Sequence, residues 1–65
     1  MKEYQYRISV KCKETGDYIN LYVWAEDGDA ATRKLCGILL GCKCEYEWHG
    51  TSPMYENNKI ISRDV

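Results

Sequence analysis

The sequence predicts a small two-layer α+β domain of the type β-β-α-β(-β), with one helix packed on one face of an antiparallel sheet. Three features indicate this fold: two alternating segments joined by a short turn, one amphipathic segment, and a third alternating segment. We expect three or four strands in the order 2-1-3, and we treat residues 1–65 as one domain. A chain of 65 residues is near the lower size limit for folding without help.

The first two strands are predicted from apolar and polar residues that alternate without a break. The apolar positions of the two segments are Tyr4, Tyr6, Ile8, Val10 and Cys12, then Ile19, Leu21, Val23 and Ala25. The turn Glu14-Thr15-Gly16-Asp17 separates them, and Gly16 supplies the backbone freedom of a hairpin turn. Matching the apolar faces predicts that Cys12 lies opposite Ile19 and Arg7 opposite Trp24. A slip of one residue would expose one apolar set to water.

An amphipathic helix is predicted after the second strand. Asp27 or Asp29 is expected to cap its N-terminus, and Gly41 to end it. The apolar stripe that would face the sheet consists of Ala31, Leu35, Ile38, Leu39 and Cys42. Gly37 lies inside this pattern, either because something packs closely there or because an exposed position tolerates it. The strand-to-helix junction, Ala25-Glu26-Asp27 followed by a helix that starts near Ala30-Ala31, resembles that of many small β-β-α-β modules of ribosomal, phage and uncharacterised bacterial proteins. This likeness implies no functional residue.

Alternation resumes at Lys43 and predicts a third strand as far as Trp48, which the stretch His49–Pro53 is expected to end. Because the helix returns the chain, this strand should run parallel to the second strand. A right-handed crossover then places it beside the first. Residues 55–65 are expected to form a short edge strand or a loose tail.

Composition excludes several functional classes. Nine basic and ten acidic residues give a net charge of −1, so no global field attracts nucleic acid or a membrane. The chain has no apolar segment of membrane-spanning length and no signal peptide, so we expect a soluble cytoplasmic protein. It also lacks a phosphate-binding loop, a metalloprotease helix and a nucleophile elbow. We therefore expect neither enzymatic activity nor a cofactor.

The four cysteines permit a metal site but do not require one. Cys12, Cys42 and Cys44 are expected near one corner of the sheet, where they would provide three of the four ligands of a structural zinc ion. A fourth ligand is missing, because His49 is too far along the third strand. Reduced structural thiols are therefore the preferred interpretation. A disulfide from Cys12 and the zinc site remain as alternatives.

The candidate binding site is the sheet face opposite the helix, which we call the outer face. Its key residues are Arg7, Lys11, Tyr22 and Trp24. Protein contact or homodimerisation ranks first, because Trp, Tyr and Arg are enriched at interface hot spots. Structural packing, with Arg7 over Trp24 and Tyr22 over Ser9, ranks second. Single-stranded nucleic acid ranks third, because acids of the third strand would repel phosphate.

Overall fold

The computed structural model describes residues 1–40 and 45–65, apart from the side chain of Leu40. Its elements are β1 Lys2–Cys12, β2 Tyr18–Ala25, α1 Gly28–Leu40, β3 Tyr46–Pro53, β4 Tyr55–Glu56, β5 Lys59–Ile60 and β6 Ser62–Asp64. β1 lies at the centre of the sheet and pairs antiparallel with β2, β3 and β6. The predicted α+β class, the strand order 2-1-3 and the helix between the second and third strands are confirmed.

The core lies between the sheet and α1. It consists of Ile8, Val10, Val23, Ala25, Ala31 and Leu35. Ile8 and Leu35 are 0% and 1% exposed, as expected for the facing positions of an alternating strand and an amphipathic helix. Of the two predicted caps Asp27 acts: its Oδ1 accepts a hydrogen bond of 2.8 Å from the Ala30 N–H. A side-chain Cβ at Gly37 would meet nothing within 4 Å, so that glycine is at an open position.

The predicted register of the first hairpin is wrong by two residues. The structure pairs Val10 with Ile19, and it places Arg7 opposite Tyr22 rather than Trp24. A two-residue slip keeps every side chain on its face, so alternation alone does not exclude it. The turn decides the register. The N–H of Gly16, whose φ is +78°, donates to the Cys12 carbonyl at 2.8 Å, and the Cys12 N–H donates to the Asp17 carbonyl at 2.8 Å.

The third strand is longer than predicted at its C-terminal end. The expected break at His49 is wrong, because β3 continues to Pro53. Val10 pairs with Trp48 and Ser9 with Gly50, so His49 is the extra residue of a β-bulge. The bulge lets the strand continue while the alternation changes phase. The predicted start of this strand at Lys43 and the predicted end of α1 at Gly41 lie outside the described residues.

The C-terminal segment forms a small hairpin followed by another strand. β4 and β5 pair with each other around Asn57 and Asn58, whose φ angles are 52° and 64°, as in a type I′ turn. Met54 and Ile61 close its base, with the Ile61 N–H donating to the Met54 carbonyl at 2.9 Å. β6 then pairs with β1 on the same edge as β3. The optional last strand is therefore present.

Candidate interaction surface

The outer face of the sheet carries two exposed tyrosines beside two cations. Tyr18 and Tyr22 on β2 are 64% and 56% exposed. Arg7 lies directly opposite Tyr22 on β1. The Lys11 Nζ lies 5.8 Å from the centroid of the Tyr18 ring, and the His49 ring meets the same tyrosine edge to face at 5.2 Å. Three of the four predicted site residues, Arg7, Lys11 and Tyr22, therefore share one open surface.

Trp24 differs from the tyrosines because another side chain covers it. The predicted stacking of Arg7 on Trp24 is wrong. Instead, the guanidinium of Arg63 lies 4.5 Å from the centre of the Trp24 ring. Glu3 holds that guanidinium, because its Oε1 accepts hydrogen bonds from Arg63 Nε at 3.1 Å and from Nη2 at 2.9 Å. The C-terminal strand thus covers one end of the outer face.

The predicted partner of Ser9 on β2 is also wrong. Its partner on β2 is Asn20, and the Ser9 hydroxyl donates to Asn20 Oδ1 at 3.0 Å. The predicted cover of Ser9 by Tyr22 followed from the wrong register. Tyr22 lies opposite Arg7 instead and is 56% exposed.

Glu3 connects the covered end of this face to the helix. Its Oε2 lies 3.5 Å from Lys34 Nζ, and only 17% of its side chain is exposed. The hydrogen bond from Arg63 is the main cause that lowers the pKa of Glu3, and the charges of Lys34 and Arg63 act in the same direction. The same Lys34 amine donates a hydrogen bond to the backbone carbonyl of Trp24.

The outer edge of β2 presents backbone groups that no described residue pairs. The Cys12 N–H donates to the carbonyl of Asp17, on the side of β1 where β2 lies. The Gln5 N–H donates to the Ile61 carbonyl at 3.0 Å, on the opposite side of β1. In an antiparallel ladder every second pair of opposite residues exchanges backbone hydrogen bonds. The even-numbered residues of β1, which include Cys12, are the ones that bond to β2. The odd-numbered residues of β2 therefore bond to β1. The backbone groups that point away from β1 belong to Tyr18, Asn20, Tyr22 and Trp24.

The two outer strands of the sheet, β2 and β3, differ in chemistry. β3 carries Glu47, the bulge at His49, and Pro53, which has no N–H to offer. β2 reads Tyr-Ile-Asn-Leu-Tyr-Val-Trp-Ala and has neither a charge nor a proline. At its C-terminal end Lys34 donates a hydrogen bond to the Trp24 carbonyl. Natural sheets commonly block edge strands with charges, prolines and bulges, and β2 lacks all three.

A second concave region lies between α1 and β3. It is an open groove of about 590 Å³ lined in part by Thr32, Arg33, Cys36 and Trp48. Trp48 is 53% exposed, and its Nε1 donates a hydrogen bond to the Thr51 hydroxyl at 3.0 Å. The Thr51 hydroxyl in turn lies 3.1 Å from the Thr32 hydroxyl on the helix. Alternation predicts Trp48 for the core. It lies instead at the margin of the helix, because one short helix does not cover the full width of β3.

The predicted thiol cluster is described only in part. Cys12 is 5% exposed and has a free thiol. The hydroxyl of Thr15, hydrogen-bonded to the sulfur, lowers the pKa of Cys12, and backbone groups of the turn act in the same direction. Cys42 and Cys44, the other two cysteines of the predicted zinc site, lie outside the described residues. Within residues 1–40 and 45–65 no group of three metal-ligating side chains occurs.

Comparison with known proteins adds no relative. No protein-family model, curated protein or solved structure matches this chain. In the part of the chain that the structure describes, no helix is long and apolar enough to cross a membrane.

Proposed function

We propose that this chain is a non-enzymatic protein-binding module whose contact surface is the outer face around Tyr18 and Tyr22. The observation that carries the proposal is the exposure of these two rings on the sheet face that the helix leaves open. The predicted site residues Arg7 and Lys11 flank the rings. Tyrosine combines a large apolar surface with a hydroxyl, which suits it to contacts that are buried only on binding.

Packing within the chain explains Trp24 better than it explains the tyrosines. Arg63 covers Trp24 from the C-terminal strand, and Glu3 fixes that arginine in place. Tyr18 meets His49 only edge to face and stays 64% exposed. A stabilising role for the tyrosines would predict more burial than this. A protein partner would instead remove their rings from water and add the hydrophobic free energy of that burial.

The proposal is tested by photo-crosslinking. A photoreactive phenylalanine in place of Tyr22 keeps the size of the ring, and the same residue in place of Tyr55 is the matched control. Tyr55 is 61% exposed but belongs to the separate two-stranded sheet of β4 and β5. We expect crosslinks to protein from position 22 and few from position 55. Equal yields at the two positions, or none from position 22, would contradict the proposal.

Single-stranded nucleic acid is the second candidate, because the same face pairs cations with aromatic rings. Lys11 lies over Tyr18, and Arg7 is opposite Tyr22. Bases stack on such rings while cations hold phosphates. However, Glu47 lies directly opposite Lys11, and Trp24 is covered, which leaves less cationic and aromatic surface. These contacts favour protein over nucleic acid.

Salt dependence separates the two candidates. Binding to phosphate releases counterions and weakens as salt rises. Low salt is therefore the condition in which nucleic-acid binding is easiest to detect. If the partner is a protein, fluorescence anisotropy with a labelled single-stranded oligonucleotide should show no binding even at low salt. Binding that falls with salt and with the Tyr22→Ser substitution would favour the second candidate. Metal analysis of purified protein tests the zinc alternative separately.

A further inference from the structure

We propose that β2 pairs along its free edge with β2 of a second copy of this chain, antiparallel and centred on Asn20. The two sheets would then form one continuous sheet across a twofold axis. This inference rests on the proposed function, because it names the partner of the surface that Tyr18 and Tyr22 belong to. It is supported by the backbone hydrogen-bonding groups along the edge of β2, not by the side chains of the outer face.

The free edge of β2 is the first step. The backbone groups of Tyr18, Asn20 and Tyr22 point away from β1, and no described residue pairs with them. The strand has no charge, proline or bulge that would hinder another strand, whereas β3 has all three. Such an edge readily accepts an added strand, which contributes backbone hydrogen bonds.

The position of Lys34 selects the register. Its amine donates a hydrogen bond to the Trp24 carbonyl, so that carbonyl is not available to a partner strand. Registers centred on Leu21 or Tyr22 use the backbone groups of Trp24. The register centred on Asn20 is the longest one that leaves them alone. It pairs Tyr18 with Tyr22 of the second copy and Asn20 with its own equivalent, through about six backbone hydrogen bonds.

The side chains of this register are self-complementary. On the outer face each Tyr18 meets a Tyr22, and aromatic cross-strand pairs of this kind are favourable. On the helix side Ile19, which is 38% exposed, meets Leu21 of the second copy. An isologous interface repeats each of these contacts across the axis.

Charge supports a second copy as the occupant. In this register Asp17 lies opposite Val23 of the second copy, one residue from the Trp24 carbonyl that Lys34 occupies. The proposed register therefore brings one acid and one base close together at each end of the paired segment, although Lys34 is already 3.5 Å from Glu3 within its own chain. No like charges oppose each other along β2, because the strand carries none. The paired segment is short, and small interfaces give weak complexes.

Charge-swapped variants test both the partner and the register. Asn20→Lys and Asn20→Glu each place like charges directly opposite across the twofold axis, and each loses the same hydrogen bond from Ser9. We expect sedimentation at up to about 1 mM to show a dimer for the native chain. Each variant alone should dimerise at least about tenfold more weakly, and an equimolar mixture of the two should recover the dimer.

The control variant is Ser62→Lys, which adds the same charge at an exposed position on β6, opposite the uncharged Tyr4, and should leave the dimer unchanged. Because both Asn20 variants share the lost hydrogen bond, recovery in the mixture is independent of any folding defect. A native chain that is monomeric at about 1 mM, single variants that dimerise like the native chain, or a mixture that stays monomeric would each overturn the inference. In that case, crosslinks from position 22 to a different protein would still support the proposed protein-binding function. The absence of any crosslink from position 22 would contradict both the proposed function and the pairing of β2.

Discussion

Two exposed glycines should respond to alanine with opposite signs, and the difference tests how the hairpin register is set. Gly16 has a φ of +78°, and a Cβ placed there meets nothing within 4 Å. The substitution Gly16→Ala therefore causes no clash, and its cost comes from the backbone alone. A left-handed conformation costs a residue with a Cβ about 1–2 kcal/mol. The smaller conformational freedom of the unfolded chain with alanine offsets about 0.5 kcal/mol of this.

The net expectation for Gly16→Ala is a loss of about 0.5–1.5 kcal/mol, where each kcal/mol lowers the melting temperature by about 4–8 °C for a domain of this size. Gly37 lies in the interior of α1 and also has open space around a Cβ. Alanine there should stabilise the protein by about 0.8–1 kcal/mol, because glycine is the poorer helix former.

Urea denaturation followed by circular dichroism measures both changes. Gly16→Asn is a useful control, since asparagine tolerates the left-handed conformation better than alanine. Its loss should be smaller than that of Gly16→Ala. If Gly16→Ala were as stable as the native chain, the turn would not require a left-handed residue. The physical reason for the observed register would then be refuted.

Three further predictions concern the core and the ends of the sheet. Ile8→Ala should cost about 2–5 kcal/mol, whereas the partly exposed Ile19→Ala should cost less than about 1.5 kcal/mol in the same urea assay. The hydrogen bond from Arg63 holds the pKa of the Glu3 carboxyl in the folded chain below its ordinary value of 4.5. Its contribution to the free energy of unfolding is therefore present above pH 4.5 and is lost as pH falls through the folded pKa. Glu3→Gln should flatten this acid-side loss. Arg63→Ala should uncover Trp24, so acrylamide should quench its fluorescence more strongly, and Arg63→Lys should restore only part of the cover.

Alternation of polarity predicted which face each residue of the first hairpin occupies but not the register. Ile8 and Val10 face the helix as expected. The error of two residues arose because the period of a strand is two, so every even slip satisfies the same pattern. The turn around Gly16 contains the missing information, in a left-handed glycine that sets where the ladder closes.

The C-terminal region was predictable in part. Asn57-Asn58 between short β-prone segments is a type I′ turn signal and would have indicated the β4–β5 hairpin. The cover of Trp24 by Arg63 was not predictable in the same way. That contact and the ion pair of Arg63 with Glu3 join opposite ends of the chain through β6. Local patterns carry no information about which distant side chain reaches a given ring. The candidate face was therefore predicted, while its open and covered parts were not.

Amide hydrogen exchange at two protein concentrations tests the role of the β2 edge most directly. The amides of Leu21 and Val23 bond to β1 and should be protected at both concentrations. The amides of Asn20 and Tyr22 point to the free edge, so we expect them to exchange rapidly in dilute protein. They should become protected at high concentration, when a second strand pairs with them. Rapid exchange of Asn20 and Tyr22 at both concentrations would contradict pairing along this edge.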